Sequence, residues 1–203
     1  MVKVFVEGGG DSDALKTECR RAFSRLLERA GLKGRMPRFV ACGGRRNAFE
    51  QFCTALENNE RTELAFLLVD AEAPVTCTSP WEHVAQQRGE PWERPSTADD
   101  DHLHLMVQCM EAWFVADRPA LRKFYGQGFN EKALPPTTAK LEEVAKPDLY
   151  RCLEHATRGT KTKGSYGKGE HSFKLLATLD PNLIRTASPW AERFFATLDR
   201  LMT

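Results

Sequence analysis

Four acids stand where an open site at the end of a sheet would need them. Glu7 follows the apolar run Val4-Phe-Val6 and opens Glu7-Gly-Gly-Gly-Asp11. Asp70 ends the run Leu64-Ala-Phe-Leu-Leu-Val69, and Glu72 follows two residues later. Carboxylates at strand tips suit a hard divalent cation, because the sheet fixes the backbone and the loops leave the face open. Such ions serve phosphoryl transfer by activating the attacking oxygen and stabilising the leaving one. Glu7 and Asp11 are four apart across a glycine turn, which lets both curl toward one ion. Asp70 and Glu72, two apart on an extended segment, would point the same way. The competing reading makes Glu7 and Asp11 helix caps, with Asp11 or Ser12 at the N-terminus of the next helix. A charge directly after Phe66-Leu-Leu-Val69 is costly unless it is paired or metal-bound.

These acids need a scaffold, and the apolar pattern supplies one. Residues 2–6, 38–42, 64–69 and 102–107 read as short buried strands. Helices are expected over 13–30, where Leu15, Cys19, Phe23 and Leu26 recur at three and four, and over 46–58 and 108–124. The β-α-β-α-β order implies a parallel sheet with right-handed crossovers. Sites in such sheets lie at the carboxyl ends of strands. Residues 73–100, rich in Pro and Trp, read as an insertion with one short helix. From 130 the pattern is helical only, with helices expected over 138–146, 148–157, 170–179 and 188–202. The expected division is an α/β domain over 1–129, with the insertion 73–100, and a helical region over 130–203 packed on it.

Composition removes several classes. A chain of 203 residues with 41% hydrophobic content can bury a real core, and its net charge of +1 confines any nucleic-acid surface to a local patch. No apolar run approaches a membrane span. The first residues enter a strand with no leader pattern, so the cytoplasm is the expected compartment. The six cysteines include no Cys-x-x-Cys pair, which argues for reduced thiols rather than zinc or disulfides. His102 and His104 would share a strand face as an alternative metal pair. Asp99-Asp100-Asp101 reads as solvated surface.

Two further sets could act with the acids. Arg158 to Lys174 forms a Gly/Lys loop whose Lys161, Lys163 and Lys168 could meet phosphates, with Tyr166 able to stack on a base. Arg45 and Arg46, after Gly43-Gly44, could add phosphate contacts at another strand tip. Glu111 and Asp117 lie on the helix expected over 108–124; Asp117, partly inward, calls for a structural partner such as Arg118 or the backbone at Pro119. Gly8 and Gly10 lack the third glycine of a dinucleotide loop, and no P-loop lysine motif occurs.

Val6-Glu7-Gly-x-x-Asp11 with Val69-Asp70-x-Glu72 resembles the toprim domain of topoisomerases, primases and OLD-type nucleases, the OLD branch most. Glu111-Ala-Trp113-Phe-Val-Ala-Asp117 and Tyr166-Gly-Lys168 resemble a smaller toprim-like bacterial family of unknown function, whose members stand beside ATPases in phage-defence gene pairs. The likeness runs over about residues 2–200. It departs at Glu72, one methylene longer than the family's aspartate. Haloacid-dehalogenase phosphatases also carry an Asp-x-Asp strand tip, but after the first strand rather than the third. The toprim resemblance implies a Rossmannoid parallel sheet and a Mg²⁺- or Mn²⁺-dependent nuclease. Glu7, Asp70 and Glu72 would bind the metal, Asp11 and Glu111 would complete the cluster, and Lys168 would contact phosphate. DNA or RNA would be the partner, with a separate ATPase subunit. The alternative is a non-catalytic metal- or nucleic-acid-binding subunit of a larger assembly.

Overall fold

The computed structural model describes residues 1–58 and 63–202. Thr203, the end of the region expected to be helical, lies outside them. The chain runs β1 (Val2–Val6), α1 (Asp13–Leu27), β2 (Arg38–Ala41), α2 (Arg45–Glu57), β3 (Leu64–Asp70), α3 (Pro80–Ala85) and β4 (Leu103–Met106). It continues with α4 (Glu111–Ala116), α5 (Arg118–Tyr125), α6 (Lys146–Thr157), α7 (Lys168–Leu176), α8 (Pro181–Ala187) and α9 (Pro189–Leu201). The four strands are all parallel, in the order β2-β1-β3-β4. This is the α/β fold expected: a parallel sheet between helices, with a helical C-terminal region.

The period-2 alternation of strand side chains divides the core. Val2, Val4, Val6, Phe66 and Leu68 face one layer with Phe23, Trp113, Leu153 and Phe194, so that α1 and the C-terminal helices share one core. Phe5, Leu67, Val69, Leu103 and Leu105 face the other layer with Phe52, Trp81 and Trp92. Burial on both faces is why β3 reads as an unbroken apolar run from Leu64 to Val69.

The order of strands positions the site. From β1 the chain moves to β2 on one side, then returns to place β3 on the other. β1 and β3 are therefore neighbours at a switch point, with Val6 in register with Leu68. A crevice outside the strand ends is expected there. The tips of β1 and β2 are tied by reciprocal backbone bonds between Gly8 and Gly43, 2.8 and 2.9 Å.

Several expected elements differ. The helix expected over 108–124 is two, α4 and α5. Asp117 leaves helical geometry (φ −109°, ψ 74°), and its carboxylate caps α5 at Ala120 N and accepts from Asp180 N at 2.7 Å. Asp117 is therefore structural, with backbone partners rather than Arg118. The helix expected over 138–146 is only a short turn, Leu141–Glu143, and α6 begins at Lys146 with Pro147 in its first turn. Helix α8, after Asp180-Pro181, was not foreseen. The Asp99–Asp101 run is not merely solvated: Asp99 caps a short turn, and Asp101 pairs with Arg193 and Arg200. Among the described residues no helix is long and apolar enough to cross a membrane. The six cysteines are free thiols, as expected.

Candidate metal centre

Asp70 is the centre of the arrangement. It is 4% exposed at the tip of β3, and both its oxygens are engaged. Oδ1 accepts the Met110 N–H at 2.9 Å, and Oδ2 receives the Lys146 ammonium at 3.0 Å. Glu7, one residue past β1, accepts the Asp70 N–H on Oε2 at 3.3 Å. Glu72 completes the set. One carboxylate oxygen from each of Glu7, Asp70 and Glu72 lies within 4.8 Å of the others. Three oxygen donors at such spacing fit a hard divalent ion and no soft one.

Glu72 does not reach the site along an extended segment, contrary to expectation. Its φ is +65°, a left-handed conformation that costs a non-glycine residue about 1 kcal/mol or more. The Glu72 N–H donates to Gln108 O at 2.8 Å, which holds that turn. Lys146 then binds Glu72 Oε1 at 2.6 Å and so bridges the two acids. Lys146 had no role in the sequence reading. The one local signal was a lysine directly before Pro147 at a helix start.

Arg45, expected as a phosphate contact, serves the cluster instead. Nη1 donates to Asp70 O at 2.5 Å and lies 4.0 Å from Glu7 Oε2. Its guanidinium stacks 4.2 Å from the Trp92 ring, which stacks on Phe49. The Pro/Trp segment thus supports the site through Trp92. Arg46 pairs on the surface with Glu50 and Glu90.

Asp11 is exposed on the glycine turn and outside the group of three. Ser12 takes the capping role, accepting from Leu15 N. Glu111 is also outside the group, fully buried at the start of α4. Its Oε1 accepts the Tyr166 hydroxyl at 2.8 Å, while Oε2 is buried with no hydrogen-bond partner. Tyr166 is half-buried between Phe114 and Tyr150, so its ring supports Glu111 rather than offering an open stacking face. Lys168 heads α7 and donates to the Tyr150 hydroxyl at 3.0 Å. Lys161 is exposed. Lys163 lies over Phe124 and lines a separate groove with Arg29 and Lys123. His104 is buried against Phe66 and Phe194, where burial pushes it down to about 3; His102 bonds Asp99. Neither histidine joins the acids.

The triad stands between two grooves. One, of about 370 Å³, is lined by Glu7, the glycine turn, Asp70, Lys168 and Phe173. The other, of about 390 Å³, is lined by Glu72, His83, Gln87 and Arg88.

With that geometry, the match of a family model to residues 6–199 covers the whole site. The chain belongs to the DUF4276 family, a domain of unknown function. No curated protein matches the chain, and no solved structure does. The family match carries no toprim or nuclease assignment.

Electrostatics follow from crowding acids under cover. Burial, then the Asp70 charge, pushes the Glu7 carboxyl from an ordinary 4.5 up to about 7, against the pull of Arg45. Burial likewise raises Asp70, with Lys146 opposing and Glu111 adding. Burial works against the Lys146 charge, but Asp70 and Glu72 outweigh it and hold the ammonium above the usual lysine range. Glu7 binds its proton more tightly folded than unfolded. In the metal-free protein this contribution to stability is fully present below 4.5 and is lost as pH rises through about 7. A bound ion must displace that proton, so Mn²⁺ affinity should rise by up to about tenfold per pH unit below 7 and level off above it. Calorimetric titrations between pH 5.5 and 8.5 check this; a flat profile would remove Glu7 from the ligand set.

Proposed function

We propose that this chain is a divalent-metal-dependent phosphodiester-cleaving enzyme, a toprim-type nuclease acting in the cytoplasm. The observation that carries the reading is the convergence of Glu7, Asp70 and Glu72 at neighbouring strand tips, within 4.8 Å of one another. Mg²⁺ or Mn²⁺ would be held by these three carboxylates and would supply Lewis-acid stabilisation of charge on a phosphoryl oxygen. Asp11 on the rim and buried Glu111 behind Asp70 complete the acidic field.

The chain's own groups have distinct tasks. The Met110 N–H and the Arg45 guanidinium fix Asp70 on both its side-chain and main-chain oxygens. Lys168, in the groove beside Glu7 and Asp70, contacts the phosphate and steadies its developing charge. Lys161, Lys163 and Arg46 offer more distant phosphate contacts, and Tyr166 keeps Glu111 in place. A groove on each side of the acids suits a polymer such as DNA or RNA, laid across the cluster rather than held by one end. A separate ATPase subunit, as the phage-defence likeness implies, would supply the energy-coupled step this chain lacks a P-loop to perform.

A second reading is favoured by one observation. Lys146 already pairs with both Asp70 and Glu72, which suits a non-catalytic metal- or nucleic-acid-binding subunit with a paired acidic core. The deciding experiment incubates the protein with linear and circular DNA, and with RNA, with and without Mn²⁺. Metal-dependent strand scission supports the enzyme. Mn²⁺ binding by calorimetry with intact nucleic acid throughout would leave the binding subunit.

A further inference from the structure

We infer that Lys146 is an internal cation that guards the acidic cluster, holding Asp70 and Glu72 until a divalent ion displaces its ammonium. The inference rests on the metal reading of the triad. It adds that the chain's own lysine competes for the site and sets the ion's affinity.

The geometry leaves little choice of role. The ammonium lies 3.0 Å from Asp70 Oδ2 and 2.6 Å from Glu72 Oε1, so it occupies the space between two of the three candidate ligands. A metal bound by those oxygens at about 2.0–2.6 Å would need the same lone pairs and would face the ammonium at close range. One cation must leave. The Lys146 backbone is not the part that moves. Its N–H donates to Gln108 Oε1 at 3.3 Å, and Gln108 Nε2 donates to Glu142 O at 3.3 Å. The Glu142 side chain is in turn held by Trp190 N at 3.0 Å. The side chain can swing: a lysine has a flexible four-carbon stem, and this one is 18% exposed, a short way from solvent.

Charge explains why such a device is useful. Three carboxylates with oxygens within 4.8 Å of one another, under partial cover, repel one another. Lys146 relieves that repulsion in the absence of metal without filling the site permanently. A monovalent ion offers no more charge than the ammonium it would replace, so only a dication gains by the exchange. The lysine is thereby a filter for ion charge as well as a stabiliser.

The test is direct metal binding. Mn²⁺ is titrated calorimetrically into the wild-type protein, Lys146→Met and Lys146→Arg. The methionine variant is expected to bind Mn²⁺ at least about tenfold more tightly, and the arginine variant near wild type, because it restores the competing charge. A merely structural lysine would on removal weaken metal binding or leave it unchanged, and either result overturns the inference. Should Lys146→Met fail to fold, wild-type protein answers by amine acylation read by peptide mass spectrometry. Mn²⁺ should raise labelling of Lys146 severalfold over that of Lys161, and unchanged or reduced labelling while Mn²⁺ binds overturns the proposal. If neither the wild type nor the methionine variant binds Mn²⁺, the metal reading itself fails and takes this inference with it.

Discussion

Asp70→Asn is expected to lower metal-dependent cleavage by about a hundredfold or more, on the order of 3 kcal/mol of transition-state stabilisation. Asparagine keeps the size of the side chain and an oxygen for the Met110 N–H, but it removes the charge that a dication needs. The fold should survive. Lys146 retains Glu72 at 2.6 Å, so no buried ammonium is orphaned, and the repulsion on Glu7 falls. The unfolding midpoint without metal should stay at or above wild type. Saturating Mn²⁺ should stabilise the wild type by about 2.7 kcal/mol at a hundred times Kd, and should raise the variant's midpoint by less. If Asp70→Asn instead unfolds the protein, and Mn²⁺ never shifts the wild type, Asp70 is a structural acid paired with Lys146. Only the nucleic-acid-binding form of the subunit reading would then stand.

Gly43→Ala should be among the most damaging small substitutions at the site. Gly43 has φ +78°, a left-handed conformation, and a Cβ there would meet the Gly10 carbonyl oxygen at 2.7 Å. That oxygen is backbone and cannot rotate away. The same residue makes the paired bonds to Gly8 that tie the β1 tip to β2. Relief of the clash must push back the loop that carries Glu7. The expected cost is about 2–3 kcal/mol of stability, with weakened Mn²⁺ binding on top of it. Gly44→Ala is the control. Gly44 has φ −77° and open space around its Cβ position, so the cost should stay below about 1 kcal/mol. Denaturant unfolding of both variants decides it, and equal losses would mean the Gly8–Gly43 tie is not what shapes the tip.

Local signals carried much of the fold. The strands were legible as short, mainly apolar runs: β4 is buried throughout and β3 beyond Leu64, and Lys3, Arg38 and His104 are the polar exceptions besides Asp70. Helices α1, α2 and α9 were legible from their three-and-four spacing. The acids at residues 7, 70 and 72 were conspicuous because each ends or follows such a run, where a lone charge is costly. Those signals are short in range, and so is what they specify. The break at Asp117 had local signals that the sequence reading passed over, a capping aspartate and Pro119 in the first turn of α5; the Asp180 N–H, a partner 63 residues away, is the part only the fold supplies. The turn at Glu72 escaped because Gln108 holds it from another part of the chain.

The sequence by itself determined the parallel α/β class, the strand tips, and the kind of side chain placed on them. Only the tertiary structure decided that the acids meet. That outcome depends on β1 pairing with β3, which sets Glu7 beside Asp70, and no local propensity encodes strand order. It alone also delivered Lys146 to Asp70 from 76 residues along the chain. The physical reason is the same in both cases. Strand order and the docking of α6 are settled by how whole apolar faces bury one another, and a charged side chain arrives wherever that packing carries its backbone.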